Sequence, residues 1–174
     1  MSSAVEEAAH WVSEQADEYR QGNTRPLRGY LGAMGVYSLL VGASALAARL
    51  LGRSAPSRVT PWDVVLLGVA THKLSRLLAK DPVTSPLRAP FVEYEGSAGP
   101  AELREEVRDQ GGFKHAIGEL SSCPFCMGQW VATGFVAGTV LAPRATRVAA
   151  TTFAAVAVSD ALYFGYAALE RWAQ

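Results

Sequence analysis

The sequence predicts an all-α integral membrane protein, a four-helix bundle with an amphipathic helix ahead of it and one long polar loop within it. Apolar residues make up 49% of the 174 residues and charged residues only 18%, below the roughly 25% usual for soluble domains. Apolar segments long enough to cross a bilayer recur along the chain. Lys and Arg balance Asp and Glu, 16 against 16, so nucleic acid is not an expected partner.

Residues 1–28 are predicted to form a separate unit, an amphipathic helix with a basic flank. Apolar side chains recur at helical spacing over residues 3–21. Ser3 and Glu6 give the pattern of a capping box at the start of this helix. The polar side is acidic, which disfavours adsorption to anionic lipid. We therefore expect the helix to pack on the bundle or on a partner.

Residues 29–174 are predicted to form the membrane domain. The four expected spans are residues 30–51, 62–79, 125–142 and 148–169. The first is the clearest, since its 22 residues carry no charge before Arg49 and make about 33 Å of helix. The second has the weakest signal, because His72, Arg76 and Lys80 share one helix face. That face should meet protein, water or headgroups rather than lipid tails.

Residues 81–122 are predicted to be the long polar loop between the second and third spans. Three prolines hold residues 81–91 extended. Residues 100–109 resemble at best a short charged helix, and an apolar stripe over residues 113–120 suits the membrane surface.

Four spans place both termini on one side of the cell membrane, and the cationic residues favour the cytoplasmic side. With that orientation, nine Lys and Arg residues lie in inner segments and five in outer segments. The second and fourth helices then run inward and the third runs outward.

Cys123 and Cys126 lie two residues apart at the start of the third span. Pro124 suits the first turn of a helix, which leaves Cys123 near the N-cap, where the helix dipole favours a thiolate. The pair is consistent with thiol redox chemistry, or with half of a zinc site to which His72 adds a ligand. A third interpretation is that both are small, buried residues of a helix start. No cofactor is expected, and no catalytic residue is assigned.

A carboxylate, Asp160, lies near the middle of the fourth span. An ionised group at that depth needs a partner. Arg76 is the first predicted partner and His72 the second, because the inner halves of the second and fourth helices share a level. Ion or proton translocation through Asp160 is an alternative function.

Gly134 and Gly138 form a G-x-x-x-G pattern inside the third span. Small residues at this spacing allow two helix backbones to approach closely. The pattern predicts a tight helix contact, within one chain or in a homo-oligomer.

Three ordered blocks, LSRL at 74–77, VTSPLRAPF at 83–91 and CPFCMGQW at 123–130, resemble the domain-of-unknown-function family thirteen-sixty. The similarity covers about residues 62–166. It implies a small bacterial multi-span membrane protein with no established activity, and some members are linked with sporulation. The motif positions that the resemblance implies are Arg76, Thr84, Arg88, Cys123, Cys126, Gly128 and Trp130.

Taken together, these patterns predict a non-enzymatic membrane scaffold or interaction module. Its expected partners are the lipid bilayer, a second copy of the chain or another membrane protein. The alternatives are a thiol-redox or metal-binding membrane protein, and an ion or proton translocator.

Overall fold

The computed structural model describes residues 2–21, 26–108 and 111–173, and most of these residues are helical. The helices are α1 (Ser2–Arg20), α2 (Leu27–Leu50), α3 (Pro61–Lys80), α4 (Ser85–Arg88), α5 (Gly112–Ser122), α6 (Pro124–Leu141) and α7 (Pro143–Ala173). A 3-10 turn (Pro82–Thr84) precedes α4, and two strands, β1 (Val92–Gly99) and β2 (Glu102–Val107), precede α5.

The N-terminal helix is present as predicted, as α1. The side chain of Ser3, half of the expected capping box, lies outside the described part of the structure. The same holds for residues 22–25, which include part of the expected basic flank.

Helix α3 begins where the sequence predicts, because Pro61 occupies its first turn. Thr60 accepts a hydrogen bond from the Asp63 amide at 3.2 Å, and Asp63 accepts one from the Thr60 amide at 3.0 Å. This reciprocal pair is a capping box, which satisfies two backbone donors that a helix start otherwise leaves open.

The packed centre lies between α3, α6 and α7, where two alanines are buried beside larger apolar side chains. Ala70, Val131, Phe135 and Ala150 are buried together. Small residues let helix backbones approach closely, which is the usual basis of helix packing within membranes.

Helices α3 and α7 run parallel, and α6 runs against both, as the sequence predicts. Asp63 lies 3.6 Å from Arg147 near the start of both helices. Further along the same two helices, Lys73 lies 2.6 Å from Asp160. Helix α6 ends at Leu141, immediately before α7 begins, so the two helices form a tight antiparallel pair.

Helix α2 lies outside this centre, against α5 and the first half of α6. A Cβ added at Gly29 would lie 2.4 Å from the Gly112 carbonyl oxygen, so only glycine permits the approach of α2 to α5. The rings of Tyr37 and Trp130 meet edge to face, 5.2 Å apart, and join α2 to α6.

The long polar loop predicted over residues 81–122 is largely made of regular secondary structure. The segment contains the 3-10 turn, α4, an antiparallel β-hairpin and α5. The expected short helix over residues 100–109 is instead β2, in which half-buried Leu103, Glu105 and Val107 alternate with exposed side chains. Alternation of this kind is a strand signal, which the high charge of the segment obscures.

The exposed side of the hairpin is acidic. Glu93 pairs with Glu106 across the strands. A hydrogen bond to Glu95, together with repulsion from its charge, raises the pKa of the Glu106 carboxyl. Carboxylates placed this close disfavour full ionisation.

Much of the apolar surface is not buried within the chain. Leu39 is 73% exposed, Leu50 78%, Leu162 69% and Phe164 60%. Among the described residues, two helices, α2 and α7, are long and apolar enough to cross a membrane. The sequence predicts four spans; the other two correspond to α3, with 20 residues, and α6, with 18.

Candidate functional site

Arg88 is the most deeply enclosed charged residue described in the structure, with 1% of its surface exposed. The 3-10 turn and α4 bring it back beneath the end of α3. Strand β2 supplies Glu105, whose side chain is 3% exposed. Residues 81–91 are therefore not extended as predicted. They form a compact turn that places the Arg88 guanidinium in the interior.

Every nitrogen of the Arg88 side chain makes a hydrogen bond. Nε donates to Glu105 Oε2 at 2.7 Å, and one terminal nitrogen donates to Glu105 Oε1 at 3.0 Å. The same terminal nitrogen donates to the Asp81 carbonyl at 3.1 Å, and the other donates to the Leu78 carbonyl and the Thr84 hydroxyl, both at 2.7 Å. The ion pair is bidentate, a geometry that only arginine provides.

Thr84 extends this network to the last turn of α3. Its hydroxyl donates to the Leu77 carbonyl at 2.5 Å while accepting from Arg88. Two motif positions that the family resemblance implies, Thr84 and Arg88, therefore act together. They donate hydrogen bonds to the Leu77 and Leu78 carbonyls in the last turn of α3 and to the carbonyl of Asp81, which follows it.

Arg76, a further motif position, does not pair with Asp160 as predicted. Arg76 donates a hydrogen bond to Glu102 of the hairpin. Lys73 Nζ instead donates to the Asp160 carboxylate at 2.6 Å. The rotation of α3 about its axis and the competing carboxylate of Glu102 decide which cation meets Asp160. Arg76 lies one turn nearer the end of α3, level with the hairpin, whereas Lys73 lies one turn deeper. His72, the second predicted partner, is exposed.

The thiol pair has the local geometry that the sequence predicts. Pro124 is in the first turn of α6 and Cys123 is its N-cap, with Sγ accepting a hydrogen bond from the Cys126 amide at 3.2 Å. The Cys126 thiol donates to Cys123 Sγ at 2.6 Å, and both cysteines are free. The interpretation as buried residues is wrong, because Cys126 is exposed and Cys123 half-buried.

A zinc site of Cys123, Cys126 and His72, one of the interpretations that the sequence allows, is not assembled among the described residues. Within the described residues, no group of three or more His, Cys, Asp or Glu side chains is placed to hold a metal ion. His72 in particular does not join Cys123 and Cys126, because it faces outward from α3.

A groove of about 400 Å³ lies between α2, α5 and α6, and Cys126 is part of its wall. Its other lining residues are Tyr30, Ala33, Met34, Tyr37, Ser38, Ala116, Glu119, Leu120, Gln129 and Trp130. Tyr30 donates a hydrogen bond to Glu119, and His115 lies 3.5 Å from the same carboxyl group. On the α6 side, Gln129 donates to the Tyr37 hydroxyl at 2.9 Å.

The small residues of α6 have different environments. A Cβ on Gly128, a motif position, would lie 4.0 Å from the buried Ser75 hydroxyl of α3. At Gly138 it would lie 2.5 Å from the Thr146 hydroxyl, so the predicted contact is present there. At Gly134 it would meet nothing within 4 Å. Gly134 therefore makes no close helix contact within the described part of the chain, and its contact in a homo-oligomer stays a prediction.

Sequence patterns alone miss Lys73, Glu105 and Glu119 as members of these sites. For Glu105 a signal exists, since it shares the inward side of β2 with Leu103 and Val107. For Glu119, the nearby apolar stripe predicts a helix, α5. The stripe does not predict which helix α5 packs against.

Comparison with known proteins places these elements in a family. The family model described as "Protein of unknown function (DUF1360)" matches residues 66–166, which is more than half of the chain. A similar curated protein is "Sporulation protein YjcA" of Bacillus subtilis (strain 168), 34% identical over 86 residues, which are 48% of this chain and 73% of that protein. No solved structure matches the chain.

The matched region begins in α3 and ends in α7, so it contains the Arg88–Glu105 network, the thiol pair and the α3–α6–α7 centre. By that match, and by the identity to the Bacillus relative, the chain belongs to the family of unknown function DUF1360.

Proposed function

We propose that this chain is an integral membrane scaffold, in which a helical bundle holds a rigid polar cap for a protein partner at one membrane surface. The cap consists of the 3-10 turn, α4, the β-hairpin and α5. The scaffold role has no catalytic step, and the bound partner is a second copy of the chain or another membrane protein.

The distribution of apolar side chains supports membrane insertion. Water-soluble proteins rarely expose large contiguous apolar surfaces. Here α2 presents leucine and valine side chains outward, and α7 presents valine, leucine and aromatic side chains outward. Their 24 and 31 residues correspond to about 36 and 46 Å of helix, against about 30 Å of hydrocarbon.

We place α3 and α6 in the membrane beside them, with both termini and the cap on the cytoplasmic side. The parallel course of α3 and α7 fits this arrangement, and so does the excess of cationic residues in the inner segments. In this placement the Lys73–Asp160 pair lies within the bundle, where each charge offsets the cost of burying the other.

The observation that carries the scaffold proposal is that every hydrogen-bond donor of the Arg88 side chain has a partner within the protein. A catalytic or ligand-binding arginine keeps donors available for its substrate, whereas here each side-chain nitrogen is bound to protein. Such a group fixes one arrangement of the cap on the bundle. A fixed cap is a suitable surface for a partner.

The scaffold proposal is tested by photo-crosslinking in cells. A photoreactive amino acid replaces Tyr94, which lies in β1 and is 68% exposed. We expect a discrete protein adduct that disappears in the Arg88→Ala background. The matched control places the same amino acid at Leu39 on the outer face of α2, where only lipid adducts should form. Absence of a Tyr94 adduct, or one that survives Arg88→Ala, contradicts the proposal.

A second candidate, thiol redox chemistry, is favoured by one observation, the 2.6 Å approach of Cys126 Sγ to Cys123 Sγ. Oxidation by an external disulfide would join the two sulfurs and transfer two electrons and two protons to the oxidant, which leaves as two thiols. The test is equilibration with defined glutathione mixtures, followed by mass measurement. A loss of two hydrogens that Cys123→Ser abolishes would support this function.

A further inference from the structure

The groove between α2, α5 and α6 has the size of a small-molecule site and is not used by the scaffold role. Its volume of about 400 Å³ lies within the range of roughly 300–1,000 Å³ typical of ligand pockets. Most of its wall is apolar or aromatic, with few polar groups. Such a composition suits an amphipathic occupant.

The carboxylate of the wall, Glu119, lies at the end where α5 crosses the first turns of α2, whereas Gln129 and the Tyr37 hydroxyl hydrogen-bond to each other further along the wall. Glu119 is 29% exposed there, in contact with Tyr30 and 3.5 Å from His115.

A carboxylate in a partly enclosed position attracts a cation or a strong hydrogen-bond donor. Arg28 lies two residues before Tyr30 in α2, and Lys114 lies directly before His115 in α5. Both are exposed, so each is a candidate for a phosphate beside that cation.

The remainder of the groove extends along α2 away from Glu119. Between Tyr30 and Ser38, both part of the wall, eight residues of helix span about 12 Å. Met34 and Trp130 line this stretch, and Met34 is 64% exposed. An elongated apolar chain fits along it.

The groove opens on the side of α2, which is one of the two helices able to cross a membrane. Leu31, next to the polar end, is 56% exposed. If α2 lies in the bilayer, an occupant enters sideways from the inner leaflet with its headgroup at the level of Glu119. This step rests on the membrane insertion proposed above.

We propose that the groove binds one aminophospholipid of the phosphatidylethanolamine class. Its primary ammonium group meets Glu119 and one acyl chain follows Met34 and Trp130. Charge complementarity selects the headgroup: phosphatidylglycerol has no cation for the carboxylate, and phosphatidylcholine has a cation without N–H donors. The bound lipid joins α2 to α5 and α6.

The test uses the full chain in nanodiscs, in a Cys123→Ser background, so that Cys126 is the one thiol left. Cys126 lines the groove, so bound lipid should slow its alkylation. We expect alkylation about tenfold slower in phosphatidylethanolamine than in phosphatidylglycerol or phosphatidylcholine, as one charge-assisted hydrogen bond allows. Native mass spectrometry should show one retained phosphatidylethanolamine.

Two variants and one control make the result specific. Glu119→Gln should remove the lipid preference. Ser38→Phe should fill the end of the groove that lies away from Glu119 and prevent retention of the lipid. Val36→Phe adds the same ring to α2 outside the groove and should change nothing. Equal alkylation in all three lipids, or a preference that persists in Glu119→Gln, overturns the proposal. Protection by a soluble alkylamine without any lipid preference also overturns it.

Failure of this inference is distinguishable from failure of membrane insertion. Carbonate extraction of native membranes reports insertion directly. A chain that is released by carbonate contradicts the membrane proposal, whereas a chain that stays embedded but shows no headgroup preference contradicts only the lipid site.

Discussion

Replacement of Arg88 by methionine should destabilise the chain more than any other change at an exposed or buried cation of the cap. The substitution keeps a side chain of similar length but leaves Glu105, 3% exposed, as a buried carboxylate without a counter-ion. It also removes the donors that serve the Leu78 and Asp81 carbonyls. Breaking a buried ion pair in this way costs about 3–5 kcal/mol.

That cost can be read as a melting temperature. For a chain of this length, 1 kcal/mol shifts Tm by about 2–4 °C, so Arg88→Met should lower Tm by about 6–20 °C in mild detergent. Arg88→Lys keeps the charge but not the bidentate geometry and should fall between wild type and Arg88→Met. Arg104→Met, an exposed cation of the same hairpin, should change stability by no more than about 0.5 kcal/mol.

A double-mutant cycle separates the ion pair from the rest of the network. Glu105→Met alone leaves the Arg88 cation without its counter-ion, whereas the double variant leaves no unpaired charge. The double variant should therefore lose less stability than the sum of the single losses, by about 2–3 kcal/mol. Losses that add to within about 0.5 kcal/mol would refute the view that this pair fixes the cap.

Three further predictions concern other contacts. Lys73→Met and Asp160→Asn should each lower Tm and be strongly non-additive, because each strands the other charge; additive losses would contradict the pair. Gly138→Leu should lower Tm, whereas Gly134→Leu, in open space, should not; equal effects would contradict the packing. Because the pKa of Glu106 is raised in the folded chain, its contribution to stability is fully present below the unfolded pKa and is lost as pH rises through the folded value. Glu106→Gln should flatten the pH dependence of Tm as pH rises above the ordinary carboxyl range of about pH 4; an unchanged profile would contradict it.

The helix starts are local features, and sequence patterns locate them well. Pro61 and Pro124 each open a helix in the structure, and Thr60 and Cys123 occupy the N-cap positions before them. These choices depend on backbone geometry within one turn, which neighbouring residues determine. Sequence patterns locate the apolar helices for the same reason, because the composition of a helix is a local property of the chain.

The pairing of charged groups illustrates what sequence patterns do not determine. Depth estimated along two helices places Arg76 and His72 near Asp160, yet Lys73 forms the pair. Depth is a property of one helix, whereas contact also depends on the rotation of each helix about its axis and on what else competes for the cation. Here Arg76 forms its ion pair with Glu102 of the hairpin.

The sequence by itself determined the mostly helical class and the apolar segments, because these follow from local periodicity and composition, while its resemblance to a family implied the motif positions. Only the tertiary structure decided that residues 81–122 fold into a cap, that Glu105 neutralises Arg88, and that Glu119 and Cys126 line one groove. Each of these joins residues from separate elements, and the free energy of such contacts depends on burial that no local pattern specifies. The physical reason is that a buried charge selects its partner only after packing has excluded water.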